Sequence, residues 1–149
     1  MTQKIRILLV DDHEVVREGL RAVLESKGDL QVVGEAGDGI QAVELALRLK
    51  PDVILMDIDM PRKNGISAIH DIVVEQPEAK ILVLSSFSED TQIVESMRAG
   101  ALGYMLKAVG TDALADAIRR VYAGETPLTP LVARRIIATM TPTRSEPRL

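Results

Sequence analysis

Residues 53–65 read VILMDIDMPRKNG. Val53 to Met56 form a short apolar run with no polar alternation, which suits a parallel strand buried on both faces. Asp57 ends that run and opens a tight loop punctuated by Pro61, Asn64 and Gly65. In an open α/β sheet, ligands sit outside the carboxyl ends of the strands, so a carboxylate at this exit stands where chemistry is done.

Working outward, similar runs recur at Ile5 to Val10, Gln31 to Ala36, Ile81 to Leu84 and Gly103 to Leu106. The stretches between them carry apolar stripes at helical spacing. The first has Val16, Leu20, Val23 and Leu24; the second Val43, Ala46 and Leu47; the third Ile66, Ile69, Ile72 and Val73. The fourth has Ile93, Val94 and Met97, and the fifth Leu114, Ala117, Ile118 and Val121. Pro51 and Pro77 stop the second and third helices, while Gly100 and Gly124 suit the ends of the last two. Alternating strands and helices predict a flavodoxin-like, doubly wound α/β fold: a five-stranded parallel sheet of order 2-1-3-4-5 with five helices. One domain is expected over residues 1–124. Residues 125–149 are read as a linker with an extra helix over 131–140, ending in the unstructured TPTRSEPRL.

Composition narrows the class. The 149 residues are 46% hydrophobic and 27% charged but only 2% aromatic, so the core must be aliphatic. There is no cysteine, hence no disulfide framework and no thiolate metal site. No apolar run approaches the roughly 20 residues of a membrane span, and no signal-peptide pattern opens the chain, which points to the cytoplasm. The net charge is −4. Residues 134–149 hold four arginines against one glutamate, so an acidic body precedes a short basic tail. An acidic body disfavours direct binding of nucleic acid by this segment.

The residues that follow the strands are chemically selected: Asp11 and Asp12 after the first, Asp57 after the third, Ser85 after the fourth and Lys107 after the fifth. Any one Asp there is more often a helix cap or turn residue. Five such positions on four strands are not explained by caps. Crowded carboxylates repel unless a cation sits among them, and Mg²⁺, a hard ion bound by a few carboxylates and a phosphate oxygen, is the natural one. The set then reads as phosphoryl-transfer machinery. Asp57 is the nucleophile, Asp11 and Asp12 hold the metal, and Lys107 and Ser85 meet phosphoryl oxygens.

The blocks DDHEVVREGL, ILMDIDMPRKNG, ILVLSS and GYMLK resemble the signatures of receiver domains from bacterial two-component response regulators. The resemblance covers Ile5 to about Gly124. It implies Asp57 as phosphoacceptor, Asp12 as a direct Mg²⁺ ligand, Asp11 as a ligand largely through water, and the backbone carbonyl of Asp59 as another. It also implies Ser85 and Tyr104 as the switch pair and Lys107 as the invariant lysine. Ala108 stands where much of the superfamily has proline. That departure, with the DDH start and VYAGET ending, is more similar to NarL/LuxR-type regulators, which carry a C-terminal helix-turn-helix. The resemblance therefore implies a sensor histidine kinase as donor and a homodimer on phosphorylation. DNA is expected to be bound only through a domain absent here, and the chain to be a fragment of a longer regulator.

Other features are set aside. VGEAGDG, from Val33 to Gly39, lacks GxGxxG spacing and is read as turn glycines. His13 and His70 are read as solvated. The Asp57-Ile58-Asp59 triplet also matches the DxD core of haloacid-dehalogenase-like phosphatases, but Pro61 and the position of the acidic pair before the nucleophile speak against a turnover enzyme. A degenerate receiver is the other alternative, and the complete set Asp11, Asp12, Asp57, Ser85 and Lys107 argues against it.

Overall fold

The computed structural model describes residues 3–58, 60, 64–86, 90–128 and 130–140. In chain order it contains β1 (Ile5–Val10), α1 (Glu14–Glu25), β2 (Leu30–Ala36), α2 (Gly39–Leu49), β3 (Val53–Met56) and α3 (Gly65–Glu75). These are followed by β4 (Ile81–Ser85), α4 (Asp90–Ala99), β5 (Gly103–Leu106), α5 (Thr111–Tyr122) and α6 (Pro130–Met140). The strands form one parallel sheet of order β2-β1-β3-β4-β5. This is the expected flavodoxin-like winding.

Alternate residues of each strand feed opposite faces, because side chains in a strand alternate. Leu8, Ile54, Val83 and Tyr104 face α2, α3 and α4. Ile7, Leu9, Leu55 and Met105 face Leu24 of α1 and the Leu114, Ile118 and Val121 stripe of α5. Each fully buried Ile or Leu contributes roughly 1.5–3 kcal/mol relative to exposure, and both faces are almost wholly aliphatic, with Ala, Val and Met beside Ile and Leu.

Local sequence sets the helix ends. Asp38 caps α2 by accepting the Gln41 N–H at 2.9 Å, and Gln41 reaches back to the Gly37 N–H at 2.9 Å. Asn64 caps α3 through the Ser67 N–H at 2.9 Å. Gly100 and Gly124 both take positive φ just past their helices, as expected of αL termini.

Three readings shift. β2 begins at Leu30 and bulges between the partners of Ile7 and Leu8, and β4 runs through Ser85, which pairs with Leu106. Gly34 lies inside β2 rather than in a turn, with the Leu49 side chain packed against it. Val16, assigned to the core stripe of α1, is 38% exposed and lines a groove with Leu20, Val109 and Leu114. The stripe was correct in period, but its burial increases along α1, and only Leu24 is fully enclosed.

The extra helix starts at Pro130, a residue whose fixed φ suits a first helical turn. It packs on α4, and Val132 is completely buried in the same core as the β4 residues Ile81 and Val83. Residues 141–149, including the TPTRSEPRL tail, lie outside the described residues.

Candidate functional site

Register brings the selected residues together. Val10 pairs with Met56, and Met56 with Val83, so the residues following these strands emerge at one edge of the sheet. The Asp57 N–H donates to the Val10 carbonyl at 2.9 Å, the Asp11 N–H to the Ala36 carbonyl at 3.0 Å, and the Lys107 N–H to the Ser85 carbonyl at 2.8 Å. Backbone hydrogen bonds of the sheet thus continue one residue beyond the strands and hold each functional residue by its own main chain.

Asp11 and Asp57 are each 3% exposed, and Ser85 is fully buried. Between the two carboxylates lies the Lys107 ammonium, 3.2 Å from Asp11 Oδ2 and 3.4 Å from Asp57 Oδ2. Burial favours loss of its proton, but the charges and hydrogen bonds of Asp57 and Asp11 outweigh burial and raise its pKa above the ordinary lysine value. Lys107 is therefore a fixed cation at neutral pH.

Asp12 is more open. Its Oδ1 is nevertheless enclosed and accepts no hydrogen bond among the described residues. One ligand atom from each of Asp11, Asp12 and His13 lies within 4.8 Å of the others. The two carboxylates, with the Asp12 Oδ1 enclosed beside the His13 ring, fit a divalent hard cation.

Gly65 shapes the other side. A Cβ there would come 2.4 Å from Ile58 Cα and 2.5 Å from the Asp57 carbonyl oxygen. Only glycine lets α3 start this close to the Asp57 loop. Asp59, whose carbonyl the resemblance implied as a ligand, lies outside the described residues. Tyr104 is fully buried, and its strand position bridges to Leu128.

Two residues at the site escaped the sequence reading. His13 is exposed, as read, yet its ring Nδ1 lies 3.1 Å from both Asp11 Oδ1 and Asp12 Oδ1, and its N–H donates to Asp11 Oδ1 at 2.8 Å. Its place directly after the acidic pair was the available signal. Arg17 donates from Nη1 to the Asp11 carbonyl, a contact no spacing rule indicates. His70 stays away, exposed beside Asp71.

The family description "Response regulator receiver domain" matches residues 7–119. The uncharacterized transcriptional regulatory protein YxjL of Bacillus subtilis (strain 168) is 46% identical over 135 residues, covering 91% of this chain and 62% of that protein. The transcriptional regulatory protein LiaR of the same organism is 47% identical over 134 residues, covering 90% of this chain and 64% of that protein. The chain thus spans less than two thirds of either relative. The crystal structure of a LuxR-family two-component response regulator from Aurantimonas sp. SI85-9A1 superposes with a TM-score of 0.86 at 34% identity, covering 92% of this chain and 98% of that one. Sheet order, strand-end chemistry and these matches agree: the chain belongs to the response-regulator receiver domains, with NarL/LuxR-type transcriptional regulators as its relatives.

Proposed function

We propose that this chain is the phosphorylation-dependent switch of a two-component phosphorelay, accepting a phosphoryl group on Asp57 from a sensor histidine kinase. The observation that carries the reading is the Lys107 ammonium shared by two buried carboxylates, Asp11 and Asp57, at 3.2 and 3.4 Å. A lysine in this place is poised to exchange a carboxylate for a phosphoryl oxygen. An Asp57 carboxylate oxygen attacks phosphorus as the bond from phosphorus to the donor histidine nitrogen breaks, leaving an acyl phosphate. Lys107 neutralises one phosphoryl oxygen, and the Ser85 hydroxyl donates to another.

Asp12 and Asp57 would hold Mg²⁺ directly, Asp11 through water, with the Asp59 carbonyl as a further ligand; the enclosed Asp12 oxygen beside Asp11 supports this set. When bound, the metal supplies positive charge to the phosphoryl oxygens. The chain labels itself and loses phosphate slowly, without turning over a substrate pool.

Output follows from Ser85 and Tyr104. Drawing Ser85 toward the phosphoryl group biases where the Tyr104 ring sits, a two-state element of the kind a switch requires. Phosphorylation then favours a homodimer. Transcription is regulated through a C-terminal helix-turn-helix beyond residue 149, an assignment supported by the transcriptional regulators among the relatives. No described helix is long and apolar enough to cross a membrane, and a cytoplasmic site of action fits this role.

Incubation with Mg²⁺ and acetyl phosphate, followed by mass spectrometry, should find one acid-labile phosphate on Asp57. Asp57→Asn keeps nearly the same shape and should take none. Equal labelling of parent and variant, or continuous turnover of phosphodonor by the parent at enzymic rates, would sink the reading.

A further inference from the structure

We propose that Arg17 is a positioning residue for the acidic pair: anchored by Glu35, its guanidinium fixes the peptide that joins Asp11 to Asp12 and so sets the cation affinity of the site. The proposal rests on the Mg²⁺ reading given above.

Asp11 is gripped on both sides of its backbone. Its N–H donates to the Ala36 carbonyl of β2 at 3.0 Å. Its carbonyl accepts from Arg17 Nη1, and Arg17 Nε is held at 3.0 Å by Glu35 Oε1, one residue before Ala36 on the same strand. The Asp11 carbonyl belongs to the peptide plane leading into Asp12. Rotating that plane redirects the Asp12 side chain, whose enclosed Oδ1 otherwise has the exposed His13 ring nitrogen 3.1 Å away. The backbone is therefore one determinant of where the Asp12 carboxylate points, beside its contact with His13.

The anchor is itself stiff. Arg21, one turn further along α1, takes the other Glu35 oxygen at 2.7 Å. Burial pushes the Glu35 carboxyl up, but hydrogen bonds from Arg21 and Arg17 outweigh it and hold it below the ordinary glutamate range, so it stays charged. Arg17 presents two donors of one planar fork to two different acceptors, Glu35 and the Asp11 carbonyl. A lysine offers a point charge and cannot serve both with the same geometry.

Both Arg17 and Arg21 tie α1 to Glu35, and Arg21 also reaches the Val32 carbonyl, so Arg21 serves as the control for a purely structural role. Only Arg17 touches Asp11. The test compares Arg17→Lys, Glu35→Gln and Arg21→Lys with the parent by calorimetric Mg²⁺ titration, by thermal melting, and by the Asp12 and His13 amide resonances of metal-free protein. Outer-sphere partners of metal ligands typically change affinity 10–100-fold. Arg17→Lys should accordingly raise the Mg²⁺ Kd on the order of tenfold and shift the Asp12 and His13 amides. Glu35→Gln should act in the same direction more weakly. Arg21→Lys should lower the melting temperature comparably while leaving the Mg²⁺ Kd within about twofold of the parent, below that outer-sphere range. A parent that binds Mg²⁺ while Arg17→Lys matches Arg21→Lys in both affinity and amide pattern overturns the role of Arg17 alone. A parent that binds no Mg²⁺ overturns the metal reading together with it.

Discussion

The two edges of the sheet are closed by different means. At β2, side chains from α1 do it: Glu25 Oε2 accepts the Val32 N–H at 3.0 Å, and Arg21 Nη2 donates to the Val32 carbonyl at 3.3 Å. At β5, main chain does it: the Tyr104 N–H donates to the Pro127 carbonyl at 3.4 Å, and Tyr104 bridges to Leu128. Unpaired strand edges invite association with other chains, so each closure has a purpose. The β2 closure is local and charged, and it is continuous with the Arg17–Glu35 anchor of the acidic pair. The β5 closure is supplied by the segment that leads into α6, whose Val132 is buried in the core. That seam lies beside Tyr104, the residue proposed to report phosphorylation.

The sharpest break of this contrast is Val132→Asp. A charge placed at a fully buried aliphatic position should cost about 3 kcal/mol or release α6 altogether. Urea unfolding should show the loss, and limited proteolysis should newly cut between α5 and α6. If stability and proteolysis match the parent, α6 does not seal β5.

Gly103→Ala probes the same seam from the strand side. The new Cβ would lie 2.8 Å from the Pro127 carbonyl oxygen and 2.9 Å from Leu82 Cδ1. Overpacking of this kind should cost about 1–3 kcal/mol. Faster amide exchange at Tyr104 would locate the damage at the β5 closure, whereas unchanged exchange there would place it in the core.

At the other edge, Glu25→Ala leaves the Val32 N–H without its carboxylate and should cost about 1 kcal/mol, with no change in the proteolysis of residues 125–140. An effect as large as that of Val132→Asp would erase the distinction between the edges.

The smallest effect is expected at Asp29, just before β2, where Arg119 of α5 donates at 2.8 and 3.1 Å. The Arg119 hydrogen bond, only partly opposed by burial, holds the Asp29 carboxyl below the usual aspartate range. A depressed carboxylate contributes stability above its unfolded pKa of about 3.9, and that stability is lost as pH falls through the folded value. Being half-exposed, the pair should contribute under about 1 kcal/mol. The stability gap between parent and Asp29→Asn should be present at pH 6 and close below pH 3. A gap that persists in strong acid would assign the effect to something other than charge.

Much of this arrangement was legible beforehand because its signals are local. Continuous runs such as Ile81 to Leu84, four residues long and bounded by turn signals, read as strands buried on both faces, and a carboxylate after such a run emerges at a strand end. Asp11, Asp57 and Lys107 do follow their strands, whereas Ser85, read as the residue after the fourth, is its last member. Val16 was misjudged because period alone says which residues share a face, not how deeply each of them is buried. His13 is exposed as read, but its contacts with both carboxylates could not be foreseen, because a histidine's neighbours depend on the turn it occupies.

Sequence alone determined the strand order class, the placing of Asp11, Asp57 and Lys107 at strand ends and the existence of a helix after Gly124, since each follows from short-range pattern. Tertiary structure decided which groups actually meet. Lys107 spans two carboxylates 96 and 50 residues away. Arg17 reaches back to Asp11 by way of Glu35 on a different strand. Val132 finds its pocket against α4 and the sheet rather than extending into solvent as part of a linker. Contacts of that kind come from closing long stretches of chain around a shared core, and no local propensity encodes their outcome.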